Sequence, residues 1–259
     1  MTKPSHQRTP AEDDRLLVKQ ADRLGVPAPK KQRRCAEGGA PCRRASCYSC
    51  RHRYSKAIMR VLRARYAGKQ VQMLTVAVAV GRYDLGDSAS FKLHDFRNQV
   101  RRKLKRKLPI GTEIVGWLDV SYNLHNNADR RLQYHYHAII YPPLSERAKR
   151  RVSACFKRDR KYAKKPVVFR AVAPDKLADR LNYVFKWFYQ RRSSFDDFIG
   201  DDGEEVRTSP KKQEMQRPER LAVHQSLLKN KVDDLVFLVG AKRAGKNKLP
   251  SFGACDLPT

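Results

Sequence analysis

Two histidines separated by a single residue are the first feature of the sequence with a recognisable chemistry. His135 and His137 lie in segment 131–141, whose alternating pattern predicts a β-strand. Side chains at i and i+2 of a strand point to the same face about 7 Å apart, which suits one shared metal ion. If the preceding hairpin turns near Asn127, Asp119 lies across from one of the histidines. Two imidazoles and one carboxylate leave coordination positions free, which is typical of a catalytic metal site. The alternative is two half-exposed polar histidines beside a solvated aspartate.

A tyrosine and a lysine form the second candidate pair. Segment 174–191 is predicted to be a helix that begins at its proline, and Tyr183 and Lys186 within it would share one helical face. A tyrosine hydroxyl is a weak nucleophile at its free pKa of about 10, and a nearby ammonium favours the phenolate. The pair therefore permits covalent phosphotyrosine chemistry, although the same spacing is common in core helices. Tyr189 would fall on the opposite side of the helix, so we expect one catalytic tyrosine.

Four cysteines within sixteen residues form a third candidate site. Their spacing is C-x6-C-x4-C-x2-C, which ends in a tight knuckle, and the intervening glycines and proline allow the loop to fold back. Four thiolates make a closed tetrahedral zinc site of the structural kind. Four unrelated thiols beside a basic segment are the alternative. The predicted zinc ligands are Cys35, Cys42, Cys47 and Cys50.

The charge of the chain points to its partner. Among 259 residues there are 56 Lys and Arg against 26 Asp and Glu, a formal net charge of +30. A charge of this size favours nucleic acid, whose phosphates release counterions when basic side chains replace them. An anionic membrane surface and a solvated basic surface are the rivals. The 41% of apolar residues can build one sizeable core or two small ones, which excludes wholesale disorder.

Membrane insertion and nucleotide hydrolysis are not expected. No apolar run approaches the roughly 20 residues that span a bilayer, and the N-terminus is too polar for a signal peptide, so we expect a soluble, cytoplasmic protein. Segment 240–247 imitates a phosphate-binding loop, but Asn247 replaces the required Ser or Thr and too few residues follow for a nucleotide fold. We therefore expect no NTP as partner and no fused helicase.

The predicted elements place these residues on an α+β fold. Their order is β-α-β-β-α-β-α, a split βαβ (ferredoxin- or RRM-like) antiparallel sheet with the tyrosine-bearing helix added at its C-terminal end. Both crossover helices cover one face, and the other face is open for a ligand. A small four-cysteine zinc module precedes this sheet. The predicted strands are 71–80, 113–122, 131–141 and 167–172, and the predicted helices are 88–108, 144–162 and 174–191.

Further elements are expected outside the sheet. Thr9 and Glu12 predict a capping box that starts a helix running to about Leu24. A basic helix over 54–66 leaves the zinc module, and a helix over 218–228 and a strand over 235–239 follow the acidic stretch. The predicted organisation is a basic, mostly flexible segment with one short helix (1–34), the zinc module with its basic helix (35–67), the catalytic domain (68–192), an acidic and polar linker (193–217) and a small C-terminal segment (218–259).

Three segments together resemble a known superfamily. GWLDVSYN carries Asp119, YHYHAIIYP carries the two histidines, and NYVFKW carries Tyr183 and Lys186. From about Val71 to Arg191 the chain resembles the HUH endonucleases, specifically the rolling-circle replication initiators (Rep proteins) of plasmids and phages. As in initiators and the related transposases, and unlike relaxases, the tyrosine follows the histidines.

The resemblance implies a function for each motif. Asp119, His135 and His137 would bind Mg²⁺ or Mn²⁺ against a scissile phosphate of single-stranded or hairpin DNA. Tyr183 would attack that phosphate, giving a 5′-phosphotyrosyl intermediate and a free 3′-OH, while Lys186 orients or charge-stabilises the site. A host helicase and a host polymerase would then complete replication in a bacterial cytoplasm.

Two other functions stay open. An HUH transposase acting on single-stranded ends would share the chemistry. A non-enzymatic nucleic-acid-binding protein would stack bases on Trp117 and Tyr141 of the open sheet face. In every case the basic helix 88–108 offers contacts to DNA, and the residues expected to make them are Arg101, Arg102 and Lys105.

Overall fold

The computed structural model describes residues 8–26, 28–125, 129–157, 165–192, 197–199, 205–207, 212–240, 242–243 and 250–251. The helices are α1 Pro10–Arg23, α2 Lys30–Ala36, α3 Tyr48–Arg65, α4 Leu93–Lys105, α5 Glu146–Ala154, α6 Leu177–Val184 and α7 Arg217–Leu227, with 3₁₀ turns at Ser88–Ser90, Pro174–Lys176 and Val232–Leu235. The strands are β1 Val71–Tyr83, β2 Glu113–His125, β3 Asp129–Tyr141, β4 Val167–Val172, β5 Gln190–Arg192, β6 Asp197–Ile199, β7 Glu205–Arg207, β8 Lys212–Glu214, β9 Val236–Val239, β10 Lys242–Arg243 and β11 Pro250–Ser251. Across these ranges no helix has the length and apolar character needed to cross a bilayer.

An open seven-stranded sheet organises the α+β fold. Its main path runs β4-β1-β3-β2-β5-β8, and β9 pairs with β2. The pairs β1 with β3, β1 with β4 and β2 with β3 are antiparallel, whereas β5 runs parallel to β2. The sheet is therefore mixed, and the prediction of a purely antiparallel sheet is wrong. The added strands cover the β2 edge, whose backbone N–H and C=O groups would otherwise be unpaired.

One face of the sheet packs under α4. Phe91 stacks on Tyr134 with ring centroids 3.8 Å apart, and Phe96 of α4 stacks on Tyr136 at 5.4 Å. Because side chains alternate along a strand, the intervening His135 points to the opposite face. The apolar side chains of α4 are buried against this face; they are Leu93, Phe96, Val100 and Leu104.

The second face is covered, and the prediction of an open face is wrong. Tyr54 of α3 stacks on Trp117 at 6.3 Å, and Tyr66 at the end of α3 packs on Tyr141 at 5.4 Å. Phe185, just after α6, packs on the other side of Trp117 at 6.1 Å. The physical reason is that this face carries large aromatic side chains beside its polar ones, so covering it removes much apolar surface from water.

The helix α3 is also tied to the sheet by polar contacts. The Nε of Arg65 donates to Glu113 Oε2 at 3.0 Å, and the Tyr66 hydroxyl donates to the same oxygen at 3.1 Å. The helix that leaves the cysteine cluster is thus a lid on the polar face of the sheet. The predicted helix 54–66 begins earlier than expected, at Tyr48, directly after Cys47.

The N-terminal segment is more ordered than predicted. The capping box is confirmed, because Thr9 Oγ1 accepts from Glu12 N at 3.3 Å and Glu12 Oε2 accepts from Thr9 N at 2.6 Å. Leu17 of α1 is buried in a cluster with Tyr48 and Leu221, and α2 occupies what was expected to be a basic linker. The described part of 1–34 therefore contains two helices where one short helix was expected. Residues 1–7 and 27 lie outside the described residues.

The C-terminal residues complete the same core. One hydrophobic cluster joins Ala45 near the cysteines, Trp117 of the sheet and Phe237 of β9. The predicted segments 35–67, 68–192 and 218–259 all contribute to it. The predicted linker 193–217 lies largely outside the described residues, but its described parts include β6, β7 and β8.

Candidate metal and nucleophile site

Three side chains converge on one point of the covered sheet face. Asp119 and His135 are directly paired across β2 and β3, and Trp117 is paired with His137, so the predicted register is confirmed. The Oδ2 atom of Asp119 lies 3.1 Å from His135 Nε2 and 3.3 Å from His137 Nε2. The candidate ligand atoms all lie within 4.8 Å of one another, and the trio could hold a metal ion.

The other ring nitrogens hold both imidazoles in place. His135 Nδ1 lies 3.0 Å from the backbone carbonyl of Gln133. A carbonyl can only accept, so Nδ1 carries a proton, and this hydrogen bond orients the ring with Nε2 towards the centre. His137 Nδ1 lies 2.9 Å from Thr75 Oγ1. Such partners of the second nitrogen commonly orient metal-binding histidines.

Burial sets the charge states at this centre. Asp119, His135 and His137 are each at most 3% exposed. Burial lowers the pKa of His137 to about 4, so this ring is neutral near pH 7. Burial also acts to raise the pKa of Asp119, but the Lys186 ammonium and the two imidazoles outweigh it and hold that pKa well below its usual range. The Oδ2 atom of Asp119 is therefore a buried anionic oxygen beside two imidazole nitrogens, and this set of atoms fits a cation.

Lys186 lies beyond the C-terminal end of α6, and its ammonium contacts Asp119. Its Nζ lies 2.8 Å from Asp119 Oδ2 and donates to Gln190 Oε1 at 3.2 Å. The prediction that Tyr183 and Lys186 share a helical face is wrong, because α6 ends at Val184. After the helix ends, Phe185 packs on Trp117 and Trp187 packs on Tyr48.

The ring of Tyr183 lies beside the trio. Its ring lies 4.8 Å from the ring of His137, centroid to centroid, and Lys186 Nζ lies 5.9 Å from the Tyr183 ring. The side chain is half-buried. The fold thus brings the predicted nucleophile to the predicted metal ligands.

Tyr189 sits elsewhere. It is buried against the guanidinium of Arg51, which lies 3.9 Å from its ring, and the same guanidinium lies 4.3 Å from the ring of Tyr48. Burial raises the pKa of Tyr189, which disfavours a phenolate. Tertiary packing, and not helix periodicity, therefore separates Tyr189 from Tyr183; a single catalytic tyrosine stays a prediction.

The four clustered cysteines form a second candidate metal site. The Sγ atom of Cys35 lies 3.7 Å from those of Cys47 and Cys50, and Cys42 Sγ lies 3.6 Å from Cys50 Sγ. A disulfide needs about 2 Å, whereas four thiolates about 2.3 Å from a central ion form a tetrahedron with edges of about 3.8 Å. The cluster could hold a metal ion.

Backbone and side-chain donors surround the sulfur atoms. Cys50 Sγ accepts from Arg43 N at 3.2 Å, and Arg53 donates to Cys35 Sγ at 3.3 Å. Asp14 of α1 accepts from the backbone N–H groups of Tyr48 and Ser49 at 2.7 Å each. This buried carboxylate caps α3 at the turn that carries the last two cysteines.

The residues expected to contact DNA occupy different surroundings. Trp117 is completely buried, so the prediction that it stacks bases on an open face is wrong. Tyr141 is half-buried between Tyr66 and Lys69, whose Nζ lies 5.1 Å from its ring. The other three residues expected to contact DNA are exposed on α4, on the opposite side of the sheet from the trio, where they line a surface cavity. They are Arg101, Arg102 and Lys105. Their contact with DNA stays a prediction.

Sequence reasoning missed two supporting residues. Thr75 pairs directly with His137 across β1 and β3, and the alternation of β1 could have placed it on the polar face. Gln190, the partner of Lys186, had no such signal, because it lies where a helix was predicted.

Comparison of the chain with models of protein families, with curated proteins and with solved structures found no match. The chemistry of the site is accordingly inferred from its own side chains. Two imidazole nitrogens and a carboxylate offer three ligands to a cation, an ammonium supplies a second positive charge, and a tyrosine ring lies beside one of the imidazoles.

Proposed function

We propose that this protein is a metal-dependent DNA nickase of the HUH type that starts rolling-circle replication of a plasmid or phage. The observation that carries the proposal is the position of Tyr183 beside His137, at 4.8 Å between ring centroids, next to an Asp-His-His trio. A nucleophile, a metal-ligand set and a cation in one place are the parts that phosphoryl transfer needs. The strand order β4-β1-β3-β2 supports the split βαβ arrangement that we propose for the central sheet.

The proposed reaction exchanges one phosphoester bond for another. The Tyr183 oxygen bonds to phosphorus while the bond from phosphorus to the 3′-oxygen breaks, and the tyrosine proton is accounted for in the new 3′-OH. The DNA remains attached through its 5′-phosphate. Lys186, held by Asp119, offers positive charge to the phosphate as negative charge develops.

The trio would hold Mg²⁺ or Mn²⁺. When bound, this ion polarises a phosphoryl oxygen. His135 and His137 are oriented for that task by Gln133 O and Thr75 Oγ1. The centre is otherwise buried, whereas Tyr183 is half-buried. A phosphate would therefore approach the centre from the side on which Tyr183 lies.

The cysteine cluster would hold a structural Zn²⁺, because four thiolates at tetrahedral spacing leave no open position. Its helix α3 covers the catalytic face. The net charge of +30 supports DNA as the substrate, with helicase and polymerase supplied by a bacterial host. The rival non-enzymatic function is less well supported, since its proposed stacking platform, Trp117, is buried.

Covalent attachment tests the proposal. Purified protein with Mn²⁺ and labelled single strands covering its own gene should yield a labelled species that survives denaturing electrophoresis. Tyr183→Phe should abolish this species while retaining DNA affinity, and Tyr189→Phe, which alters the buried tyrosine, is the matched control and should retain it. Tight binding without an adduct on any strand would favour a non-enzymatic binding protein.

A further inference from the structure

A cavity of about 300 Å³ lies between the cysteine cluster and the 3₁₀ turn Val232–Leu235. Its size is at the lower end of the range for small-molecule sites. Apolar groups and two arginines form its walls. The lining residues are Pro41, Arg43, Cys50, Arg53, Tyr54, Ala57, Val232 and Asp233.

The cavity is built between segments that backbone hydrogen bonds hold together. Ala45 N donates to Asn230 O at 2.9 Å, and Val232 N donates to Arg43 O at 2.8 Å. The Arg44 side chain adds a bond to Leu228 O at 2.9 Å. Because the cysteine loop and the C-terminal segment are fastened in this way, the cavity is preformed.

Its electrostatics favour an anion with an apolar part. Arg43 and Arg53 are exposed at its rim, and the acidic groups of the lining are the carboxylate of Asp233 and the thiol of Cys50. The bond from Arg53 to Cys35 Sγ, 3.3 Å long, keeps that guanidinium at the wall. Tyr54 supplies an aromatic ring and Ala57 leaves space beside it. A nucleobase against the ring with a phosphate at the rim satisfies both requirements.

One layer of aromatic side chains separates the cavity from the candidate catalytic centre. The Tyr54 ring stacks on Trp117 at 6.3 Å, and Trp117 lies two residues before Asp119 on the same face of β2, a rise of about 7 Å. A nucleotide in the cavity therefore lies near the metal trio. This proximity suits a nucleotide of the strand that is being cut.

We infer that the cavity binds one unpaired nucleotide of single-stranded DNA, with its base against Tyr54 and its phosphate at Arg43 and Arg53. The identity of the strand rests on the proposed function. The cysteine module is then part of the substrate site as well as a support for α3.

Photocrosslinking tests the inference without any need for cleavage. A labelled single strand that contains 5-iododeoxyuridine is bound to the Tyr183→Phe variant without added Mn²⁺, irradiated and mapped by peptide mass spectrometry. We expect a crosslink at Tyr54. In the same background Ala57→Leu, which fills the cavity without changing charge, should lower both the crosslink and the affinity about tenfold, a loss within the usual range for one stacked base.

Two arginine variants keep the test decisive if Ala57→Leu fails to fold. Arg43→Gln should weaken binding severalfold, whereas Arg60→Gln, an exposed α3 arginine that does not line the cavity, should stay within twofold of its parent. Equal effects of Arg43→Gln and Arg60→Gln, or crosslinks that avoid Tyr54, would overturn the inference.

Competition with free dTMP separates a strand from a mononucleotide. If dTMP fills the cavity and the oligonucleotide does not crosslink there, the cavity is not part of the DNA site and the inference fails. If the Tyr54 crosslink forms but wild-type protein gives no covalent adduct, the nickase proposal fails while the nucleotide site stands.

Discussion

The ammonium of Lys186 lies 2.8 Å from the same Asp119 oxygen that the two histidines approach. Both side chains are almost fully removed from solvent, and Lys186 comes from a turn beyond the tyrosine helix. The pair therefore joins the segment after α6 to strand β2 of the candidate metal site. It also makes each partner dependent on the other, because an unpaired charge is costly in a buried site.

Removing one partner of this pair should destabilise the fold. Asp119→Ala should lower the free energy of unfolding by about 3–5 kcal/mol and abolish Mn²⁺ binding, as measured by urea unfolding and calorimetry. Asp119→Ala with Lys186→Met should recover much of the stability but no Mn²⁺ binding. Lys186→Met alone should be stabilised by Mn²⁺, since the ion then neutralises Asp119. Unchanged Mn²⁺ affinity in Asp119→Ala would exclude the trio as its site.

The cysteine cluster should bind one zinc ion per chain. The double variant Cys47→Ser, Cys50→Ser should lose the metal in elemental analysis and melt at a lower temperature, because binding at a structural site adds to folding free energy. Cys155→Ser is the control, since this half-buried thiol lies outside the cluster. Freshly purified wild-type protein without zinc would refute the assignment.

The burial of Trp117 predicts a stability defect. Trp117→Ala should lower the free energy of unfolding by about 3–5 kcal/mol, since Tyr54 and Phe185 lose their partner. Ile110→Ala, at a fully exposed position, should change it by less than about 0.5 kcal/mol. A Trp117→Ala protein of native stability with weakened DNA binding would instead restore the stacking role.

His224 should make the fold sensitive to mild acid. Burial, aided by the Arg51 cation, lowers the pKa of His224 to about 4, against about 6.5 in the unfolded chain; Tyr189 and Arg220 also line its surroundings. The unfolded chain then binds the extra proton first as the pH falls, so stability is full above pH 6.5 and declines towards pH 4.

Urea unfolding at several pH values measures this effect. Between pH 6.5 and pH 5 the titration of His224 should lower the free energy of unfolding by about 2 kcal/mol. The His224→Leu variant should lose correspondingly less stability than wild type over that interval. Parallel curves for the two proteins would show that His224 titrates normally in the fold.

The exposed face of α4 should bind phosphates of the DNA. Replacing Arg101, Arg102 and Lys105 by Ala should weaken single-strand binding and reduce the slope of log affinity against log salt by about 0.7 for each phosphate that is no longer neutralised. The control removes the same charge from the exposed side of α1, at Arg15, Lys19 and Arg23. Equal losses of affinity in both triple variants would mean that net charge, and not this surface, determines binding.

Local pattern was sufficient for the four central strands and for the shared face of the candidate ligands. Strand alternation puts His135 and His137 on one face, and a hairpin that turns near Asn127 puts Asp119 across from one of them; the structure pairs Asp119 with His135. The capping box at Thr9 and the spacing of the four cysteines were likewise readable, since capping acts over three residues and the ligand spacing over sixteen.

Tertiary packing determined how the faces are used. The polar face is covered because α3 and the residues after α6 pack on it. These contacts join positions far apart in the chain, such as Tyr54 with Trp117. The end of α6 at Val184 was not readable from the sequence either. The residues after it contact distant parts of the chain, Phe185 with Trp117 and Trp187 with Tyr48, and a helix propensity of a few tenths of a kcal/mol per residue is a weak signal beside such contacts. Residue types and spacing therefore specify the candidate chemistry, while long-range burial of apolar surface decides which groups meet and which are hidden from solvent.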